Sequence, residues 1–297
     1  YIIEKPDPMT KYIYRFSKNR EGEFDENTIT AAKAGITEFL KNISFVIIFC
    51  PRLESATVRI SDDVEWISER GTRVFTKTND VGVGNYTHEV TVTEKDGKSN
   101  NIKEHTFITS SNTLNEYNFR VDGAIKVNKL TKEIIKSTNS VFLTFPLLGF
   151  EGFVLPIVVN SNDFSPTIER SSLILGDKDE ETPNNMKILT SSLVIFERIV
   201  KYCSKKEYIN MYHLLNGIKN YNKFNEEKME SSLFLPMKQC ILSQRIIPTN
   251  RGFRKLYTPK IGNTLLQFDL STDDAIIFNP QQKDHSRISE VLSMFVK

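Results

Sequence analysis

The sequence predicts an α+β chain whose β-rich first part gives way to a helical remainder with a small β cap. Three observations carry this. Two apolar runs, over 141–147 and 153–159, flank a Gly-containing turn at 149–152, and four shorter runs between 57 and 109 alternate in polarity. Two apolar stripes at helical spacing, over 29–43 and 189–203, mark amphipathic helices. The composition turns polar and acidic over 176–185, which divides the chain into a unit of residues 1–177 and one of residues 178–297.

Taken in order, residues 1–10 hold two prolines and read as an extended arm, and 11–16 as a strand with Tyr12, Tyr14 and Phe16 on one side. Polar residues at 25–27 supply the cap of a helix over 28–41, whose stripe is Ile29, Ala32, Ile36, Phe39, Leu40 and Ile43. The continuous apolar run 45–50 reads as a buried strand. The runs 57–60, 73–78, 89–94 and 105–109 then form a meander with one face solvated, punctuated by Gly71, 79–85 and Asp96-Gly97. Residues 111–139 are less regular, with a short helix over 130–137. The runs 141–147 and 153–159 read as a buried hairpin. A polar bend over 160–166 then leads through Ile168, Glu169 and Arg170 to a last apolar run at 173–175, which delivers one arginine at the exit of a rigid sheet.

Beyond the acidic loop, Thr182-Pro183 starts a helix over 184–204 with Leu189, Leu193, Phe196, Val200 and Cys203 on its stripe. Further helices are expected over 208–218 and 227–244, the latter bent at Pro236. Short strands follow from 246, with a turn at 250–252 and another strand at 265–268, and a helix over 286–295 ends the chain.

A chain with 39% hydrophobic and 26% charged residues describes a globular protein. Lys+Arg 39 against Asp+Glu 37 gives a net charge of +2, which argues against a broad nucleic-acid or membrane footprint but leaves room for a local basic patch. No apolar run approaches membrane-spanning length, and no secretory signal opens the chain. Cys50, Cys203 and Cys240 are widely spaced in apolar surroundings. They read as buried free thiols of a reducing compartment, so the expected location is cytoplasmic. The chain starts without a methionine and is expected to be a piece of a longer protein.

Chemistry-bearing motifs are sparse. Asp80-Val-Gly-Val-Gly84 matches a D-x-G-x-G string, but strands flank it and no helix with a magnesium-binding Asn or Glu precedes it. It therefore reads as a hairpin loop in which Gly82 and Gly84 permit positive φ. His88, His105, His213 and His285 have no neighbour at metal-ligand spacing, and His88 and His105 are expected as exposed strand residues. Asp62-Asp63 and the acids over 177–181 read as solvated loop carboxylates. Arg251, Phe253, Arg254, Lys255, Tyr257 and Lys260 interleave charge with aromatic rings, as a nucleic-acid or acidic-partner contact would, and as a solvated hairpin also would.

One stretch carries a resemblance. FPLLGFEGFVLPIVVNSNDFSPTIERSSLIL resembles the segment that follows the nucleotide-binding domain in sacsin-type ATP-binding proteins, and FLKNISFVII resembles their "F-L-+-N-I" run. Within it, VVNSNDFSPTIERSSL is similar to the middle-domain loop of the ninety-kilodalton heat-shock chaperones. The chain departs from the chaperone pattern at Ser171, where the family has an acidic residue, and keeps the lead into the arginine only loosely over 165–168.

The resemblance implies a transducer-like, ribosomal-S5-type mixed sheet and a place in the middle region of a GHKL-type ATP-binding protein. It implies that Arg170 contacts the γ-phosphate of ATP held by another domain, with Asn160 and Asn162 shaping the loop. An arginine suits that task, because its guanidinium stays charged and presents a fork that matches phosphate oxygens. Placing it on a second domain ties hydrolysis to domain closure. The implied partner is an upstream nucleotide-binding domain, with a homodimer also accommodated and no membrane. ATP and magnesium belong to the full-length protein, with no cofactor in this fragment. The chain alone is expected to neither bind nor hydrolyse ATP. The alternative is a stand-alone interaction module that binds nucleic acid or protein.

Overall fold

The computed structural model describes residues 26–60, 71–80, 87–99, 101–135, 137, 140–147, 150, 153–211, 214–215, 219–220, 225–249, 251–255, 257–258 and 267–268. The expected strand over 11–16, the terminal helix over 286–295, and Asp62, Asp63, Gly82, Gly84, His213 and His285 lie outside these residues.

The architecture is α+β. A helix, α1 (Glu26–Phe49), precedes the strands β1 (Ser55–Ile60), β2 (Gly71–Asp80), β3 (Thr87–Asp96), β4 (Ile102–Leu114), β5 (Phe119–Asn128), β6 (Glu133–Ile135), β7 (Val141–Leu143), β8 (Phe145–Pro146), β9 (Phe153–Val154) and β10 (Val158–Asn160). Nine of these form one mixed sheet in the order β1-β2-β3-β4-β5-β10-β7-β8, with β6 on β5. The helix α2 (Thr182–Lys205) follows. Then come β11 (Lys219–Asn220), α3 (Glu226–Met229), α4 (Leu235–Leu242), and the short strands β12 (Arg245–Thr249), β13 (Gly252–Lys255), β14 (Tyr257–Thr258) and β15 (Gln267–Phe268). The helical remainder with a small β cap is thus present. No helix among the described residues is long and apolar enough to cross a membrane.

Side chains of a strand alternate between faces, and this rule sorts the sheet into two layers. Phe75, Val92, Phe107, Ala124, Phe142 and Val158 pack with the C-terminal half of α1. Their chain neighbours Ile108, Ile125, Val141 and Val159 join the opposite core, which they share with α2, α4 and β12. The expected meander with one solvated face is therefore corrected at its centre, where helices cover both faces of β4 and β5.

Three further expectations are corrected. The run 45–50 is not a strand but the last turns of α1. A short apolar run fits a buried helix as well as a strand. The i,i+4 rings of Phe45 and Phe49 both meet Phe142, at 5.8 and 5.7 Å, and Phe45 lies edge-on to Phe107 at 4.8 Å.

The expected helix over 130–137 is a turn followed by β6. The Asn128 carboxamide oxygen accepts the Leu130 and Thr131 N–H groups at 3.0 and 3.2 Å, and Lys132 takes φ +55, so local bonds outcompete the helix.

The runs 141–147 and 153–159 do not pair as a hairpin. Thr144, at φ +65, splits the first, and Pro156 separates β9 from β10. β10 then lies parallel to β7 and antiparallel to β5, while β9 pairs with β11. Downstream, the helix expected over 227–244 is helical over Glu226–Leu242, in three pieces. A π-helical turn, Glu230–Phe234, runs into α4 just before the proline, whose missing N–H cannot continue the α ladder.

Candidate functional site

The three residues expected to form a site, Arg170, Asn160 and Asn162, meet at one end of the sheet, and what they share is the bend between β7 and β8. Buried Asn160 ends β10, and its side-chain oxygen accepts the Thr144 N–H at 2.8 Å. Asn162 accepts the Thr144 hydroxyl at 2.6 Å. Arg170 Nη2 lies 3.5 Å from the Leu143 carbonyl, a long contact for an exposed side chain. Together the two asparagines hold the positive-φ conformation of Thr144.

Arg170 itself sits on the tip of a tight loop, bridged at Pro166 and Leu173 and closed by Arg170 N–H to Thr167 O at 2.8 Å. Its φ of +53 is unusual for a non-glycine residue. The base of this loop is clamped by fully buried Asn185 of α2. Asn185 accepts the Ser165 N–H and donates to the Ser165 and Ile174 carbonyls, each at 2.8 Å. At the tip Ile168 is 98% exposed, and Phe145 on the neighbouring bend is 52% exposed. This end of the sheet thus exposes Arg170, with Glu169 next to it in the chain, beside two uncovered apolar side chains.

A second grouping lies on the α1 face, in a recess of about 350 Å³ between α1 and strands β2 to β5. Its floor carries Arg73, Glu94, Lys103, His105 and Lys126, and Leu40, Asn42 and Phe45 of α1 form a wall. The register makes this cluster. Lys103, His105 and Phe107 alternate onto one face of β4, where Glu94 lies opposite Lys103 and Lys126 opposite Phe107.

His105 is 6% exposed, so the expected exposed strand histidine is corrected. It stands two residues from Phe107 on the covered face, and its Nε2 lies 2.8 Å from a Glu94 oxygen. Burial, and then the Lys126 charge, push the imidazole pKa down, against the pull of Glu94. Glu94 also meets Arg73 at 3.4 Å. Burial, and next the Lys103 charge, lower the pKa of Lys126, which reaches over the Phe107 ring at 5.8 Å.

Sequence reasoning missed Arg73, Glu94, Lys103 and Lys126 as a group. The available signal was charge at the positions that continue the apolar alternation of 75, 92 and 107.

A third feature is basic. The C-terminal turn of α2 and the β12–β13 hairpin border an open groove of about 850 Å³. Lys201, Lys205, Arg245, Arg251, Arg254 and Lys255 line it with a single acid, Glu207.

Two of the cysteines, Cys203 and Cys240, are held as inert thiols. Cys203 is fully buried, with its thiol pKa pushed up by burial, and burial raises that of Cys240 to about 12. Among the described residues no group of three or more His, Cys, Asp or Glu could hold a metal ion. No family model, no curated protein and no solved structure matches the chain.

Proposed function

We propose that this chain is the transducer-like middle region of a GHKL-type, sacsin-like ATP-binding protein, and that it couples the nucleotide state of a separate domain to movement or partner binding. The observation that supports this reading is the end of the sheet where Arg170 is exposed on a braced loop beside uncovered Ile168 and Phe145. An apolar rim with a central guanidinium is the composition of a docking face. A γ-phosphate contact needs a cation held still before the nucleotide arrives, because reorganisation during reaction weakens electrostatic stabilisation. The clamp by Asn185 and the Thr144 bend braces the backbone that carries Arg170, and its guanidinium stays exposed, within 3.5 Å of the Leu143 carbonyl.

The test is ATP turnover by the complete reading frame that encodes this chain. Arg170→Ala is expected to lower turnover by a factor of about 100 or more with nucleotide affinity little changed, as expected of a contact made mainly in the transition state. Turnover unaffected by the substitution sinks the reading, and so does measurable ATP affinity of residues 1–297 alone.

The basic groove favours a second reading, an interaction module for a polyanion such as nucleic acid. Phosphate contacts release counterions, so DNA retention should fall steeply with salt. Arg251→Gln with Arg254→Gln should flatten that dependence, and weak, salt-insensitive retention counts against this alternative.

A further inference from the structure

We propose that the recess between α1 and the meander binds a phosphomonoester, with Lys126 and Lys103 as its charge partners. The argument starts from charge balance. Four basic side chains, Lys41, Arg73, Lys103 and Lys126, line the recess against one carboxylate, Glu94, and Lys41 has its own partner in Glu38 at 3.4 Å. Glu94 is already committed on both sides, to Arg73 at 3.4 Å and to His105 at 2.8 Å. Neither Lys103 nor Lys126 makes an ion pair with a carboxylate among the described residues.

Lys103 is exposed, so the cost of burial falls on half-buried Lys126: an ammonium there with no carboxylate in ion-pair reach is unfavourable, and a fold has no structural reason to place it when methionine fills the same space. The lowered pKa of Lys126 is the same cost seen from the side of the proton. A dianion entering the recess removes that cost. Two ammonium groups balance its charge, and the Arg73 fork at the rim adds directional donors.

The size and walls narrow the ligand further. A recess of about 350 Å³ exceeds the needs of bare phosphate, and Leu40, Phe45 and Ile135 line its apolar side. An ester with an apolar or planar organic part fits that division better than inorganic phosphate does. This site is on the α1 face and owes nothing to Arg170.

The experiment is calorimetry and thermal unfolding of residues 1–297 with three probes: inorganic phosphate, phenyl phosphate and benzoate. Phenyl phosphate is expected to bind more tightly than inorganic phosphate, with a dissociation constant below about 10 mM, and benzoate more weakly than either. Lys126→Met should raise the phenyl phosphate dissociation constant at least about tenfold, the loss of one charge-assisted contact. Because it removes a desolvated charge, Lys126→Met should also raise the melting temperature in phosphate-free buffer, so failure to fold is not the expected outcome. Lys205→Gln, on the separate basic groove, should change neither reading. The proposal is overturned if no phosphate probe saturates, if benzoate binds more tightly than phenyl phosphate, or if Lys126→Met binds phenyl phosphate as the parent does.

Discussion

At Gly123 the backbone of β5 and the side chains of α2 come so close that a methyl group has no room. A Cβ there would lie 2.4 Å from Ile195 Cγ2 and 3.1 Å from Ile157 Cδ1. Ile195 is fully buried, so it cannot swing into solvent. Gly123→Ala is therefore expected to destabilise the fold by about 1–3 kcal/mol, the usual cost of overpacking. Urea denaturation measures this, and Ile195→Ala, which removes the clashing Cγ2, should cost less in the Gly123→Ala chain than in the parent.

A different residue sets the acid side of the stability curve. Because burial and Lys126 hold the His105 pKa below its ordinary 6.5, the unfolded chain takes up the proton first as pH falls. Between 6.5 and the lower folded value the unfolded state binds more protons, so stability rises with pH across that window and falls on acidification. The groups around the imidazole are Glu94 of β3, Arg73 of β2, Lys103 of its own strand, Lys126 of β5 and Lys41 of α1. The melting temperature should drop between about pH 7 and pH 5.5, and His105→Gln, which keeps a donor for Glu94, should flatten the drop. An unchanged slope in that variant rules His105 out as the cause.

Among the elements, α1 shows how a helix can change character along its length. Its first turns are half-exposed, whereas Asn42 to Val46 are continuously buried, and Ile47 and Phe49 beyond them. Phe45 is 3% exposed and touches Phe49, Phe107 and Phe142, while Phe39, less than two turns earlier, is 42% exposed. Phe45→Ala should cost about 3–5 kcal/mol and Phe39→Ala under about 1 kcal/mol. Comparable losses at the two positions would contradict the helical register, as two denaturant curves would show.

The same helix marks what the sequence could reveal. Its first part was legible as a helix because amphipathic spacing is a local signal, although of the expected stripe only Ile43 is buried and Phe39 is exposed, and so was α2, whose predicted and observed bounds differ by about two residues. The second half of α1 was not legible, since a run buried on all sides has no period. The pairing of β10 with β7 and β5 was hidden for another reason. It depends on where β5 already lies, so no local turn in 141–159 encodes it. The recess on the α1 face needed the registers of three strand pairs before its charges came together. Arg170, a single residue, was singled out through a resemblance rather than a pattern, and the bend that Asn160 and Asn162 hold was not foreseen.

Across the whole molecule the core passes through the boundary expected at 177. The connector 176–181 is exposed, yet α2 beyond it buries Ile188, Leu189, Ile195, Phe196, Ile199 and Val200 against the sheet. Six such side chains contribute roughly 9–18 kcal/mol at about 1.5–3 each, an upper bound because an unfolded chain already hides some surface. Even two-thirds of that range overlaps the whole net stability of an ordinary domain, about 5–15 kcal/mol. Removing α2 should thus unfold the sheet, whereas cutting the connector should not. Trypsin at exposed Lys178 is expected to give two fragments on a denaturing gel that still co-elute as one species and melt in one transition. Asn185 also ties the base of the Arg170 loop, at Ser165 and Ile174, to the first turn of α2 through three bonds of 2.8 Å. Fragments that separate after the cut, each keeping its own cooperative transition, would show two independent cores and overturn the single core read from α2 and the sheet.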